Sequence, residues 1–198
     1  MTLHMIGTGL GDAKDITVKG LELVKKSKFV YLESYTSILH CSKETLEKAW
    51  SKKLILADRD MVEKGCDEIL ERAIKDDVSF LVVGDPMSAT THIDIYLRAR
   101  KKGIGVTVIN NASILNAVSI VGLELYKYGK TTSIVFPAEG WNVDTYYDVV
   151  MENKKRGLHT LCLLDIKTKE PSKTELLKEI PTACEKPRFM TVNEAIQS

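Results

Sequence analysis

Three short segments of this chain carry residue types and spacings that could meet a ligand. The first is Val82-Val83-Gly84-Asp85-Pro86-Met87-Ser88-Ala89-Thr90-Thr91-His92, which follows the apolar run Val78 to Val83. A strand there delivers Gly84 and Asp85 to the edge of a sheet, and Pro86 stiffens the turn. Asp85 can accept hydrogen bonds from a ribose or an amino group, and it can equally shape the turn or cap the next helix. The second is Asn110-Asn111-Ala112-Ser113-Ile114-Leu115-Asn116-Ala117, again leaving a strand and opening a helix. Ser113 suits an N-cap, and the exposed amides of a helix start serve a polar ligand as well as a cap. The third, Gly7-Thr8-Gly9-Leu10-Gly11-Asp12, leaves a short apolar strand, Leu3 to Ile6. Its glycines let backbone approach a ligand closely.

Several familiar chemistries fit the sequence poorly. A dinucleotide loop needs Gly-x-Gly-x-x-Gly, and this chain has Asp12 at the last position, a negative charge where pyrophosphate would rest. That holds although Glu33 sits at a tempting distance for a ribose. Gly129-Lys130-Thr131 resembles the end of a phosphate-binding loop, but Glu124 stands where its first glycine is required, so the segment reads as a turn into a strand. There is no Gly-x-Ser-x-Gly elbow. The histidines His4, His40, His92 and His159 lack metal-ligand spacing, so no metal is expected. His40 beside Cys41 is two ligands at most, and His92 is either a pocket residue or a structural one.

Composition narrows the class further. The chain has 198 residues, 44% hydrophobic and 28% charged, as in ordinary globular proteins. Its 28 basic and 27 acidic residues give a net charge of +1, which makes no electrostatic case for nucleic acid or an anionic membrane. No apolar run reaches the roughly 20 residues that span a bilayer, and the first residues do not form a secretory signal. Four scattered cysteines, Cys41, Cys66, Cys162 and Cys184, without paired spacing fit a reducing compartment. A cytoplasmic protein is expected.

The elements that must position these loops alternate. After the first strand, Thr17 is placed to cap a helix carrying Leu21 and Val24, with Lys25, Lys26 and Lys28 near its end. Phe29 to Leu32 reads as a strand, Lys43 to Trp50 as a helix, Leu54 to Leu56 as a strand and Met61 to Lys75 as a helix. Val78 to Val83 is apolar enough to be buried on both faces, as in a parallel sheet. A helix over Thr91 to Lys102, a strand over Val106 to Ile109 and a mostly helical Ile114 to Tyr126 follow. The pattern predicts an open α/β sheet through about Ile134. Phe136-Pro137-Ala138-Glu139-Gly140 reads as a linker. Beyond it lie a helix (Thr145 to Arg156), a strand (His159 to Leu164), a polar stretch (Lys167 to Pro187) and the start of a helix at Val192.

Long blocks of the chain resemble the tetrapyrrole methylase family, in the branch that modifies a histidine of translation elongation factor 2. They are Ile6 to Asp12, Lys14 to Leu21, Tyr31 to Ser37, Val82 to His92, Asn110 to Val118, Gly122 to Lys130, Gly157 to Lys167 and Phe189 to Ala195. The resemblance implies two α/β domains, residues 1–136 and the start of a second at 137–198, with the second incomplete because relatives continue further. It implies S-adenosyl-L-methionine as methyl donor, S-adenosyl-L-homocysteine as product, elongation factor 2 as protein substrate, and a homodimer. It places donor contacts at Leu10, Asp85, Ser88, Ser113, Ile114 and Leu164. No catalytic residue is implied, although Asp165 and Glu33 are conceivable proton acceptors. The stretch Glu170 to Lys186 is similar to an insertion of eukaryotic relatives. Two other readings stand beside this one: a non-catalytic fragment that binds the donor or the elongation factor, and a methyltransferase acting on tetrapyrroles.

Overall fold

The computed structural model of the chain describes residues 1–64, 66–88, 91–137, 144–168 and 187–197. Positions 138–140 of the expected linker, the insertion-like stretch Glu170 to Lys186, Cys184 and Ser198 lie outside the described residues. Packing divides the chain into two compact units, Met1–Ala117 and Val118–Ser198.

In the first unit, five strands form one parallel sheet: β1 (Thr2–Gly7), β2 (Phe29–Glu33), β3 (Ile55–Ala57), β4 (Val78–Val82) and β5 (Gly105–Ile109). Their order is β3-β2-β4-β1-β5. Helices α1 (Val18–Lys26), α2 (Lys43–Trp50), α3 (Cys66–Lys75), α4 (Ile93–Lys101) and the short α5 (Ile114–Ala117) connect and follow them. Thr17 caps α1 by accepting from the Gly20 amide at 3.0 Å, as its position in the sequence predicts. Ser42 caps α2 through Thr45.

Alternation along the strands builds two cores. Leu3, Met5, Tyr31, Val78 and Phe80 face Ile69, Leu70, Ala73, Ile95 and Ala99 of α3 and α4. Ile6, Val30, Leu32, Leu81 and Ile109 face Val24, Leu46 and Trp50 of α1 and α2. With both faces covered, β4 is buried at every residue. Each such side chain contributes roughly 1.5–3 kcal/mol by leaving water, so the sheet is a rigid base for the loops at its carboxyl edge. β4 and β5 flank β1. The three glycine- and asparagine-bearing loops therefore leave adjacent strands, at the edge where open α/β sheets bind ligands.

The second unit departs from the sequence reading. The expected helix over 114–126 is α-helical only through Ala117. Two 3-10 turns follow, Val118–Val121 and Leu125–Lys127. Branched Val118, Ile120 and Val121 resist the helix, and Gly122, at φ +86°, turns the chain out of it. Strand β6 (Thr132–Ile134) does not extend the first sheet. It pairs in parallel with β7 (Cys162–Leu164). Phe136 is not linker but core. It is buried with Ile134 and Met190, and the Arg188 guanidinium lies 3.9 Å from its ring centre. Helix α6 (Thr145–Lys155) matches expectation, and β8 (Ile166–Lys167) pairs antiparallel with β9 (Arg188–Phe189). The closing helix α7 (Val192–Gln197) starts at a reciprocal cap. Glu194 accepts from the Thr191 amide and hydroxyl, and Thr191 accepts from the Glu194 amide.

Candidate functional site

The loop after β4 is organised by one carboxylate. Asp85 Oδ1 accepts from the Met87 amide at 2.9 Å and the Ser88 hydroxyl at 3.0 Å. Asp85 Oδ2 accepts from Asn110 Nδ2 at 2.9 Å and the Asn111 amide at 3.0 Å. Burial pushes this carboxyl up, but the four hydrogen bonds outweigh it and hold Asp85 below the usual carboxylate range. Asp85 is thus an anion at neutral pH, and its four acceptor positions are filled by the chain itself. Of those four donors, the Ser88 hydroxyl is the one that can rotate away for a ligand.

The loop after β1 is locked to the same place. Gly9 and Gly84 exchange backbone hydrogen bonds, 3.3 Å from the Gly9 amide and 2.8 Å from the Gly84 amide. Gly84 lies at φ +76°, which favours glycine. Gly7 is required for a different reason. A Cβ there would collide with the Gly84 carbonyl and approach Asn111 Cβ to 2.8 Å. Asp15 accepts from the Gly11 amide at 2.7 Å, and the fully buried Trp50 donates its indole N–H to the Ala13 carbonyl at 2.9 Å. Asn111 then ties in the third loop, its Nδ2 donating to the Gly7 carbonyl at 3.0 Å and the Asp15 carbonyl at 2.9 Å.

Four of the six residues named from the sequence, Leu10, Asp85, Ser88 and Ser113, gather around Gly84 and Asp85. A Cβ at Gly84 would sit 3.4 Å from Leu10 Cδ2, 3.5 Å from the Ala112 carbonyl and 4.0 Å from Ser113 Cα. Asp85 follows it directly, and Ser88 is tied to Asp85 through its hydroxyl. Ser113 is buried. Its hydroxyl accepts from the Leu115 amide at 3.2 Å, and its own amide donates to Asn116. Ile114, next in the chain, is exposed. This is a compact turn cluster with an anion at its centre and apolar Leu10 and Ile114 beside it.

The profile of the Tetrapyrrole (Corrin/Porphyrin) Methylases matches residues 2–193. The chain belongs to the tetrapyrrole methylase family. This methylase is 57% identical over 195 residues to the diphthine methyl ester synthase of Bos taurus, covering 98% of this chain and 68% of the relative. It is 55% identical to the Homo sapiens protein of the same name, with the same coverage. With the Dictyostelium discoideum protein, also of that name, it shares 54% identity over the whole chain and 72% of the relative. A crystal structure of diphthine synthase superposes with a TM-score of 0.82 at 35% identity, covering 100% of this chain and 70% of the other.

The sixth residue, Leu164, lies in the second unit of the methylase, at the end of β7, where it packs against Ile134, Phe136 and Met190. Neither conceivable proton acceptor has an idle carboxylate. Glu33 Oε1 accepts from the Tyr35 amide at 2.7 Å and the Thr36 amide at 2.5 Å, and Oε2 accepts from the Thr36 hydroxyl at 2.7 Å. Burial raises its pKa against those bonds and against Arg59. Asp165 Oδ2 accepts from the Phe136 amide at 3.0 Å. His92 is buried edge-on to Phe80 and Tyr35, which favours its structural reading. The sequence reading passed over Asn111, Asp15 and Trp50. Asn111 was visible inside the Asn110–Ala117 block, but nothing local marks its partners.

Proposed function

We propose that this methylase transfers a methyl group from S-adenosyl-L-methionine to the modified histidine of translation elongation factor 2, releasing S-adenosyl-L-homocysteine. The observation that carries the reading is the loop cluster around Gly84, seen together with relatives named diphthine methyl ester synthase over nearly the whole chain. The cluster suits the donor chemically. Leu10 and Ile114 offer apolar surface for the adenine, while the Ser113 and Ser88 hydroxyls and the ionised Asp85 offer partners for ribose and amino hydrogens. The family resemblance adds Leu164 as a further donor contact. An anionic Asp85 favours a cationic donor over a pyrophosphate.

The donor, when bound, supplies an electrophilic methyl group on a sulfonium. The chain's part is alignment and exclusion of water, and proximity of this kind is worth roughly 7–11 kcal/mol of a barrier. That fits a chain whose two conceivable proton acceptors, Glu33 and Asp165, each already accept backbone amides. The acceptor is an amino group of the histidine side chain or, as the relatives' name indicates, a carboxylate. A donor-loop domain followed by a second α/β domain belongs to the same reading, as does a cytoplasmic location. Among the described residues no helix is long and apolar enough to cross a membrane. A homodimer is supported by the exposed apolar residues Ile120, Val121, Leu125 and Tyr126.

Calorimetric titration with S-adenosyl-L-homocysteine, with NAD as control, tests the donor. Binding near micromolar, about −8 kcal/mol, without NAD binding is expected, and NAD binding alone would overturn the reading. Labelled donor with unmethylated elongation factor 2 tests the acceptor. Label must enter the factor and not a tetrapyrrole precursor.

A further inference from the structure

We infer that Asn111 is the positioning residue that sets the donor loops in register. The inference rests on the donor reading and adds to it a residue that touches no proposed donor atom. Asn111 takes part in bonds to each of the other two loops. Its amide donates to Asp85 after β4, and its side-chain Nδ2 donates to Gly7 at the end of β1 and to Asp15 in the loop beyond. Its Oδ1 accepts from the Ala112 amide at 2.7 Å, which fixes which way the amide group points. All the hydrogen-bonding atoms of the side chain are therefore committed to holding other parts of the site.

The geometry makes this bridge different in kind from the rest of the cluster. The β1 and β4 loops are joined by backbone through Gly9 and Gly84, which almost any side-chain change would leave in place. The β5 loop carries Ser113 and Ile114, and its side-chain link to the β1 loop is Asn111. Gly7 has no side chain because Asn111 Cβ and the Gly84 carbonyl occupy that space. The three loops thus meet at one point with no slack, and an Nδ2 that donates twice is the group that reads both carbonyls at once. Aspartate has the same shape but cannot donate, and it sets a charge against two carbonyl oxygens.

The test is Asn111→Asp and Asn111→Ala, compared with the unaltered chain by calorimetric titration with S-adenosyl-L-homocysteine, thermal unfolding and steady-state methyl transfer. Both variants are expected to bind at least tenfold more weakly and to lose kcat/KM for the donor by a similar factor. The KM for the elongation factor is expected to stay within twofold, with the chain still folded at the assay temperature. If the unaltered chain binds no S-adenosyl-L-homocysteine, the donor reading fails and this assignment with it. If it binds and both variants bind equally well, the assignment alone is overturned. Loss spread evenly over donor and acceptor parameters, or unfolding of both variants, would show that Asn111 merely holds the fold and would equally overturn it.

Discussion

Among the residues of the first unit, Glu33 shows how a suggestive side chain acquires a modest role. Its carboxylate is buried, yet it is occupied in folding the turn that follows β2, bonding to Tyr35 and Thr36. Glutamine keeps the oxygen that receives both amides, and its NH2 can donate to the Thr36 hydroxyl. Glu33→Gln is therefore expected to change stability at pH 7 by less than about 1 kcal/mol and methyl transfer by no more than a few-fold. Transfer abolished in a stable variant would show that Glu33 is a proton acceptor after all. The same contrast explains what the sequence revealed of the site. Asp85 and Ser113 were legible as turn- and cap-forming residues because strand, turn and helix start are local signals, whereas Ser88 came from the family resemblance alone. Asn111 was not, because its partners Gly7 and Asp15 lie 104 and 96 positions away, and no spacing rule reaches that far. For Asp85 the turn-shaping reading is the one seen directly, and it fills that role as an anion at the centre of the cluster.

At the scale of elements, the sequence anticipated the first unit well because its strands are mostly apolar, and capping residues Thr17 and Ser42 open α1 and α2. It failed where local preference and long-range pairing part company. β6 looks like a sixth strand of the same sheet until β7 claims it, and Phe136 looks like linker because Pro137 follows it. The joint between α6 and β6 is a further case. Asn153 is buried in α6, donates to the Lys130 carbonyl and the Thr160 hydroxyl, both at 2.8 Å, and accepts from the Lys130 amide at 3.1 Å. A Cβ on Gly129 would collide with the amide of Asn153. Gly129 is thus needed for space, not for the phosphate-binding role its Gly-Lys-Thr context suggests. Gly129→Ala is expected to destabilise by about 2–3 kcal/mol, since it must break a buried amide network or displace the helix. Urea unfolding reads this directly, and a midpoint unchanged from the unaltered chain would refute it.

On the scale of the whole molecule, burial of ionisable groups makes stability depend on pH, and the sign can be worked out. His92 is 1% exposed, and burial lowers its pKa from 6.5 to about 4. Burial also lowers that of His4, against an opposing pull from Asp77. Between pH 6.5 and about 4 the unfolded chain holds a proton on His92 that the folded chain refuses, and His4 acts in the same sense. Stability is then complete above 6.5 and falls as the pH drops through that window, with His92 alone worth up to roughly 3 kcal/mol. Glu33 acts in the opposite sense. Its folded pKa is raised above 4.5, so acidification lets the folded state take up a proton that the unfolded state does not yet hold. His92 carries the large shift and begins to titrate in the unfolded chain near 6.5, so the unfolding midpoint is expected to fall between pH 7 and pH 5. Glu33→Gln removes the compensating group and should steepen that fall, while leaving the pH 7 value nearly unchanged. Equal slopes in the two chains would show that Glu33 titrates normally, and a flat profile in both would show that neither histidine is held neutral by the fold.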